Sequence, residues 1–169
     1  LGKDLVPELT PNTQMGFGRG MDTGTVLIVD DELGPRASLN MILKSLYHVE
    51  LAENGIAAIQ IMQERGIDLV TMDIRMPGPS GVEVLKKIKE QWPSVEVLII
   101  TGYGTLRTAM DAIHFGASDY LLKPFDIANL VDVTRRLLTR KKRNDEINRF
   151  LHEHQILPGA PMPLYELVH

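Results

Sequence analysis

The feature that most constrains this chain is an alternation. Five short apolar runs, TVLIV from Thr25, HVELA from His48, IDLVTM from Ile67, VEVLII from Val95 and DYLL from Asp119, are separated by stretches with helical periodicity. Continuous apolar runs of this length suit strands buried on both faces, and the intervening patterns are long enough for about three helical turns. The punctuation agrees. Pro35 suits the first turn of a helix over Pro35 to Ser45, and Gly66 would close a helix that begins near Ile56. Ser80 and Glu83 form a Ser-x-x-Glu capping box ahead of GVEVLKKIKEQ. LRTAMDAIHFG would end at Gly116, and a last helical pattern begins near Asp126. Strands and helices in strict alternation predict an α/β fold with a parallel sheet, helices on both faces and right-handed crossovers.

Composition narrows the class. With 169 residues, 44% hydrophobic and 24% charged, the chain is long enough for one well-buried domain with extensions. A net charge of −4 gives no bulk attraction to nucleic acid. Cysteine is absent, which excludes disulfides, thiolate chemistry and Cys-type zinc sites. No apolar run reaches the length of a membrane span and no signal-peptide pattern opens the sequence, so the expected location is the cytoplasm, away from membranes. Residues 1–24 mix Pro, Gly, Thr and Asn and read as a flexible lead. Within it, GFGRG at Gly16 to Gly20 precedes the first strand instead of following one, so a dinucleotide fingerprint is rejected.

In a parallel sheet the carboxyl ends of the strands lie on one edge, where ligands gather. Here those ends carry Asp30, Asp31 and Glu32, then Asp73, then Thr101, then Lys123 and Pro124. Carboxylates brought together repel unless a cation sits among them, and hard oxygen donors point to magnesium. A carboxylate is a competent nucleophile toward reactive phosphorus, with a metal and an ammonium to stabilise the transferring oxygens. Asp73 would therefore accept a phosphoryl group, and Thr101 would donate to one of its oxygens. Arg75 stands where an Asp-x-Asp phosphatase would need its second acid, which disfavours that alternative. Singly, an Asp after a strand is often only a helix cap. As an ordered set at strand ends these residues say more.

The segments VLIVDDE, LVTMDIRMPGPSG, VLIITGYG and GASDYLLKPF resemble the receiver domain of bacterial two-component response regulators. TGYGTLRTAMDAIHFGASDYLLKPF is similar to receivers of enhancer-binding transcriptional activators. The resemblance implies a flavodoxin-like, doubly wound sheet of strand order 2-1-3-4-5 over residues 25–138. It implies Asp73 as phosphoacceptor for a histidine kinase or phosphotransfer protein, and Mg2+ as cofactor, with Mn2+ as an alternative. Asp31 would ligate the metal directly, Asp30 through a water, and Asp73 and the backbone carbonyl of Arg75 would complete the set. Thr101 and Lys123 would bind the phosphoryl group, and Tyr120 would be the aromatic that turns inward with Thr101. The bond before Pro124 would be cis. The switch would alter the face built by the fourth helix, fifth strand and fifth helix. The family is not one of enzymes acting on external metabolites; catalysis would be confined to the domain's own phosphorylation and dephosphorylation. Arg75 and Tyr103 lie two residues after Asp73 and Thr101, positions that in this family border the attacking water. Neither offers a carboxylate or amide to orient it, which predicts a persistent phosphorylated state.

The last helical pattern runs from Asp126 to about Glu153 and exceeds what a receiver needs to cross its sheet. Leu130, Val133, Leu137, Ile147 and Leu151 follow a heptad seam broken by Arg140 and Asn144. Residues 139–154 therefore read either as a coiled-coil linker or as a signalling linker. A homodimer through this helix, or through the face of the fourth helix, fifth strand and fifth helix, is the expected self-association. The run RRLLTRKKR is basic but lacks aromatics and a nucleic-acid-binding fold, so a solvated helix face is expected. Residues 155–169 hold three prolines and no output motif, which suggests a piece of a larger regulator.

Overall fold

The computed structural model describes residues 24–155. Nearly all of the lead, with its GFGRG segment, and nearly all of the proline-containing tail lie outside these residues. Along the chain run β1 (Thr25–Val29), α1 (Leu33–Leu43), β2 (His48–Ala52), α2 (Gly55–Glu64), β3 (Leu69–Met72), α3 (Gly81–Gln91), β4 (Glu96–Thr101), α4 (Leu106–His114), β5 (Asp119–Leu122) and α5 (Ile127–Glu153). All strand pairs are parallel, in the order β2-β1-β3-β4-β5, as the alternation and the resemblance predicted.

The alternating side chains of the strands divide the core in two. Leu27, Val29, Val70, Met72, Val97 and Ile99 face α2, α3 and α4, where Ala58, Met62, Leu85, Ile88 and Ala112 meet them. Val26, Ile28, Leu69, Leu98 and Ile100 face the other way, against Leu39 and Leu43 of α1 and Leu130 and Leu137 of α5. Each such Val, Leu, Ile or Met side chain contributes roughly 1.5–3 kcal/mol on burial, so both faces of the sheet are strongly held.

Local signals explain most helix ends. Ser80 accepts from the Glu83 amide while the Glu83 carboxylate accepts from the Ser80 amide, completing the expected capping box. Gly116 takes φ +91 just beyond α4, a left-handed turn that favours glycine. α2 departs from expectation. It stops at Glu64, and Arg65 caps it in extended conformation with φ −132, so the chain enters β3 without a left-handed glycine at Gly66.

α5 departs from its expected seam. Leu130, Thr134, Leu137 and Lys141 are its buried residues, and they form the stripe that covers the domain's own sheet. Leu130 and Leu137 are 0% and 1% exposed and so cannot serve a partner helix. Past Lys141 no residue of the helix is buried, and Ile147 and Phe150 lie exposed. None of the helices among the described residues is long and apolar enough to cross a membrane.

Candidate functional site

The register sets Val29 beside Met72, so the next residue on each strand, Asp30 and Asp73, arrives at the same edge. Both are buried. Their charge is met by Lys123, which follows β5: its Nζ donates to Asp30 Oδ2 at 2.8 Å and to Asp73 Oδ2 at 3.0 Å. Burial pulls the Lys123 pKa down, but the hydrogen bonds and charges of Asp30 and Asp73 outweigh it, so the ammonium titrates above its ordinary 10.5.

The other oxygen of Asp73 is held from β4 and from its own loop. Thr101, fully buried, donates from Oγ1 to Asp73 Oδ1 at 2.8 Å, and the Arg75 amide donates to the same oxygen at 3.0 Å. Thr101 Oγ1 in turn accepts from the Tyr103 amide at 3.2 Å. Above these loops the Arg75 guanidinium lies 4.0 Å from the centroid of the exposed Tyr103 ring. Asp30 Oδ1 accepts from the Glu32 amide at 2.9 Å.

Not every expected residue joins. Asp31 is exposed on the rim, and among the described residues no three acidic or histidine side chains meet in a ready metal cage. The donor set nonetheless suits a hard dication. Two buried carboxylates share one ammonium and offer only oxygen atoms to a ligand, while the Arg36 guanidinium donates to the Asp30 carbonyl oxygen at 2.5 Å. Tyr120 is half-buried against the α2–α4 side of the core, its hydroxyl 3.4 Å from Thr108 Oγ1 on α4. The Lys123–Pro124 bond is cis. A Cβ at Gly102 would meet only Lys123 Cβ, at 3.9 Å, so the approach beside Thr101 is open. A separate cleft of about 470 Å3, walled by Tyr47, Asp68, Arg135 and Arg149, contains none of these groups.

A sequence model described as the response regulator receiver domain matches residues 26–135. The chain belongs to this family. It is 43% identical over 106 residues to the transcriptional regulatory protein ZraR of Klebsiella oxytoca, covering 62% of this chain and 24% of that protein. It is 37% identical over 117 residues to sporulation initiation phosphotransferase F of Bacillus subtilis, covering 69% of this chain and 94% of that protein. Among solved structures, a CheY-like receiver domain protein from Methanospirillum hungatei superposes with a TM-score of 0.70 at 26% identity, over 72% of this chain and 98% of the other. The chain thus spans about a quarter of the transcriptional regulators it matches and nearly all of a short phosphotransferase.

As a receiver domain of a signalling protein, the chain has a second group of residues that its sequence pattern does not announce. The basic run on α5 is largely engaged within the molecule: Arg135 with Asp132, Arg136 with Asp119, Arg140 with Glu96 and Lys141 with Asp145. Glu96 is legible in the sequence only as the one acid inside VEVLII, and nothing local marks it as buried.

Proposed function

We propose that Asp73 is the phosphoacceptor of this receiver domain and that its phosphorylation switches the α4-β5-α5 face. The observation that carries this is the division of labour on the Asp73 carboxylate, with Lys123 on Oδ2 and Thr101 on Oδ1. An oxygen of Asp73 attacks the phosphorus of a phosphohistidine on a kinase or phosphotransfer protein. The new P–O bond forms as the P–N bond breaks, and the imidazole leaves with the electron pair and takes up a proton. Lys123 steadies a phosphoryl oxygen throughout, and Thr101 follows the new oxygen atoms when the acceptor carries them. Asp30, Asp73 and the backbone carbonyl of Arg75 would hold Mg2+ or Mn2+, with Asp31 brought in from the rim; the ion supplies charge neutralisation for the transfer.

Movement of Thr101 frees space toward which Tyr120 turns, and α4 and β5 alter what they offer a partner. The similarity to transcriptional regulators supports a place in a larger cytoplasmic regulator, with residues 25–138 as the receiver and 139–154 as its link. Such a regulator could self-associate through α4-β5-α5 or the end of α5. Turnover is limited to the domain's own phosphorylation and dephosphorylation.

The test uses beryllofluoride with Mg2+ on the full chain. The Tyr120 ring signals should shift in wild type and stay unchanged in Asp73→Asn. A wild type that does not respond, or a mutant that responds equally, rules out Asp73 as the acceptor.

A further inference from the structure

One buried carboxylate has no part in the phosphoryl chemistry. Glu96 opens β4 at the amino edge of the sheet, opposite the acid site, and is 6% exposed. Arg140 of α5 grips it with a two-pronged contact, Nε to Oε1 at 2.8 Å and Nη2 to Oε2 at 2.5 Å. Ser118, in the loop before β5, donates its hydroxyl to Glu96 Oε2 and accepts from the Val97 amide at 3.0 Å. The next residue, Asp119, is ion-paired to Arg136, one helical turn before Arg140. Burial alone would raise the Glu96 pKa, yet hydrogen bonds from Arg140 and Ser118 and the charges of Arg140 and Lys89 hold it below the ordinary 4.5.

This cluster joins the start of β5 to the last buried turn of α5, which ends at Lys141. The far end of β5 is tied to the acid site. The Lys123 amide donates to the Thr101 carbonyl at 2.9 Å, and the Tyr120 hydroxyl approaches α4. β5 is an edge strand of four residues, too short to absorb a displacement between two fixed ends.

We propose that Glu96, with Ser118 and Arg140, is a buried pin that sets the direction in which α5 leaves the domain and delivers movement of β5 to residues 141–153. The device rests on Asp73 as phosphoacceptor, because phosphorylation supplies the movement. Ion pairing suits this role, because a two-pronged contact fixes an angle as well as a distance.

The test compares amide hydrogen exchange in the full chain with and without beryllofluoride and Mg2+. In wild type, the Tyr120 signals should shift and exchange at 141–153 should change by about two-fold or more. Glu96→Gln combined with Arg140→Met removes both charges together, so the buried carboxylate is not left without its partner. In that variant Tyr120 should still respond, while 141–153 exchange faster at baseline and no longer respond. Ser118→Ala is the milder variant should the pair fail to fold, and it should at least halve the response of 141–153. An undiminished response at 141–153 in either variant overturns the pin, as does a wild type in which Tyr120 responds and 141–153 do not. A wild type in which Tyr120 itself is silent means that the phosphoacceptor assignment has failed, and the pin falls with it.

Discussion

Both oxygens of Asp73 are held by donors from three separate segments, so the carboxylate is oriented before any phosphodonor arrives. Such preorganisation is what positioned chemistry requires. The same loops carry Arg75 and Tyr103, whose amides feed the Asp73 and Thr101 hydrogen bonds while their side chains stack over them. With no group there to orient water, the aspartyl phosphate should outlast that of typical receivers. Opening the stack with Tyr103→Ala should speed its loss about two- to five-fold, the worth of an exposed cation–π contact. Tyr103→Phe should leave the rate unchanged, because the ring and not the hydroxyl meets Arg75. Decay of acid-labile phosphate after a pulse of donor measures both. Elsewhere in the core the Thr71 hydroxyl is buried without a hydrogen-bond partner. Thr71→Val should stabilise the fold by about 1 kcal/mol in urea unfolding, since a desolvated hydroxyl is exchanged for a methyl. Lower stability in the variant would mean that the hydroxyl has a partner in solution.

Between residue and fold stands α3, whose first residue touches the main chain of Asp73, the proposed acceptor. A Cβ on Gly81 would lie 2.4 Å from the Asp73 carbonyl oxygen and 2.7 Å from Ile74 Cα, and the Gly81 amide donates to the Ile74 carbonyl at 2.9 Å. Gly81→Ala should cost about 1–3 kcal/mol in chemical denaturation, as overpacking does. It should also slow phosphorylation of Asp73 under conditions where the variant remains folded; an unchanged rate would separate helix docking from the site. This contact is not legible in the sequence, where Gly81 stands only as the first residue of a helix. The capping box is legible because its partners are three residues apart, and so are the acids at strand ends, because strand boundaries fix them. Contacts made across the fold are not. The period of the seam on α5 does not tell its partner: Leu130 and Leu137 face the domain's own sheet. The break at Arg140 has its reason in Glu96, far away in sequence. Asp31 stands at a strand end as expected, yet its side chain stays on the rim.

For the molecule as a whole, the Glu96 cluster at the amino edge of the sheet gives stability a definite dependence on pH. Glu96, faced by Arg140 from α5 and Lys89 from α3, titrates below its ordinary 4.5 in the fold. Its contribution is therefore complete above about pH 4.5 and is lost as pH falls through the lower folded value. Urea midpoints should drop over that acid range, and the Glu96→Gln, Arg140→Met pair should show a shallower fall. An equally steep fall would assign the acid sensitivity to other groups. The direction of α5 carries a further consequence. The helix begins beside the acid site, runs back along the sheet and leaves past Glu96, at the opposite edge. Strand rise and helix rise together put its tip on the order of 35 Å from Asp73. A peptide or helix gripping the tip of α5 lies well clear of the acid pocket, and a phosphodonor no larger than a small domain leaves the tip open. Two such partners can be engaged at the same moment, and information between them then passes through the body of the domain and not by one partner shading the other.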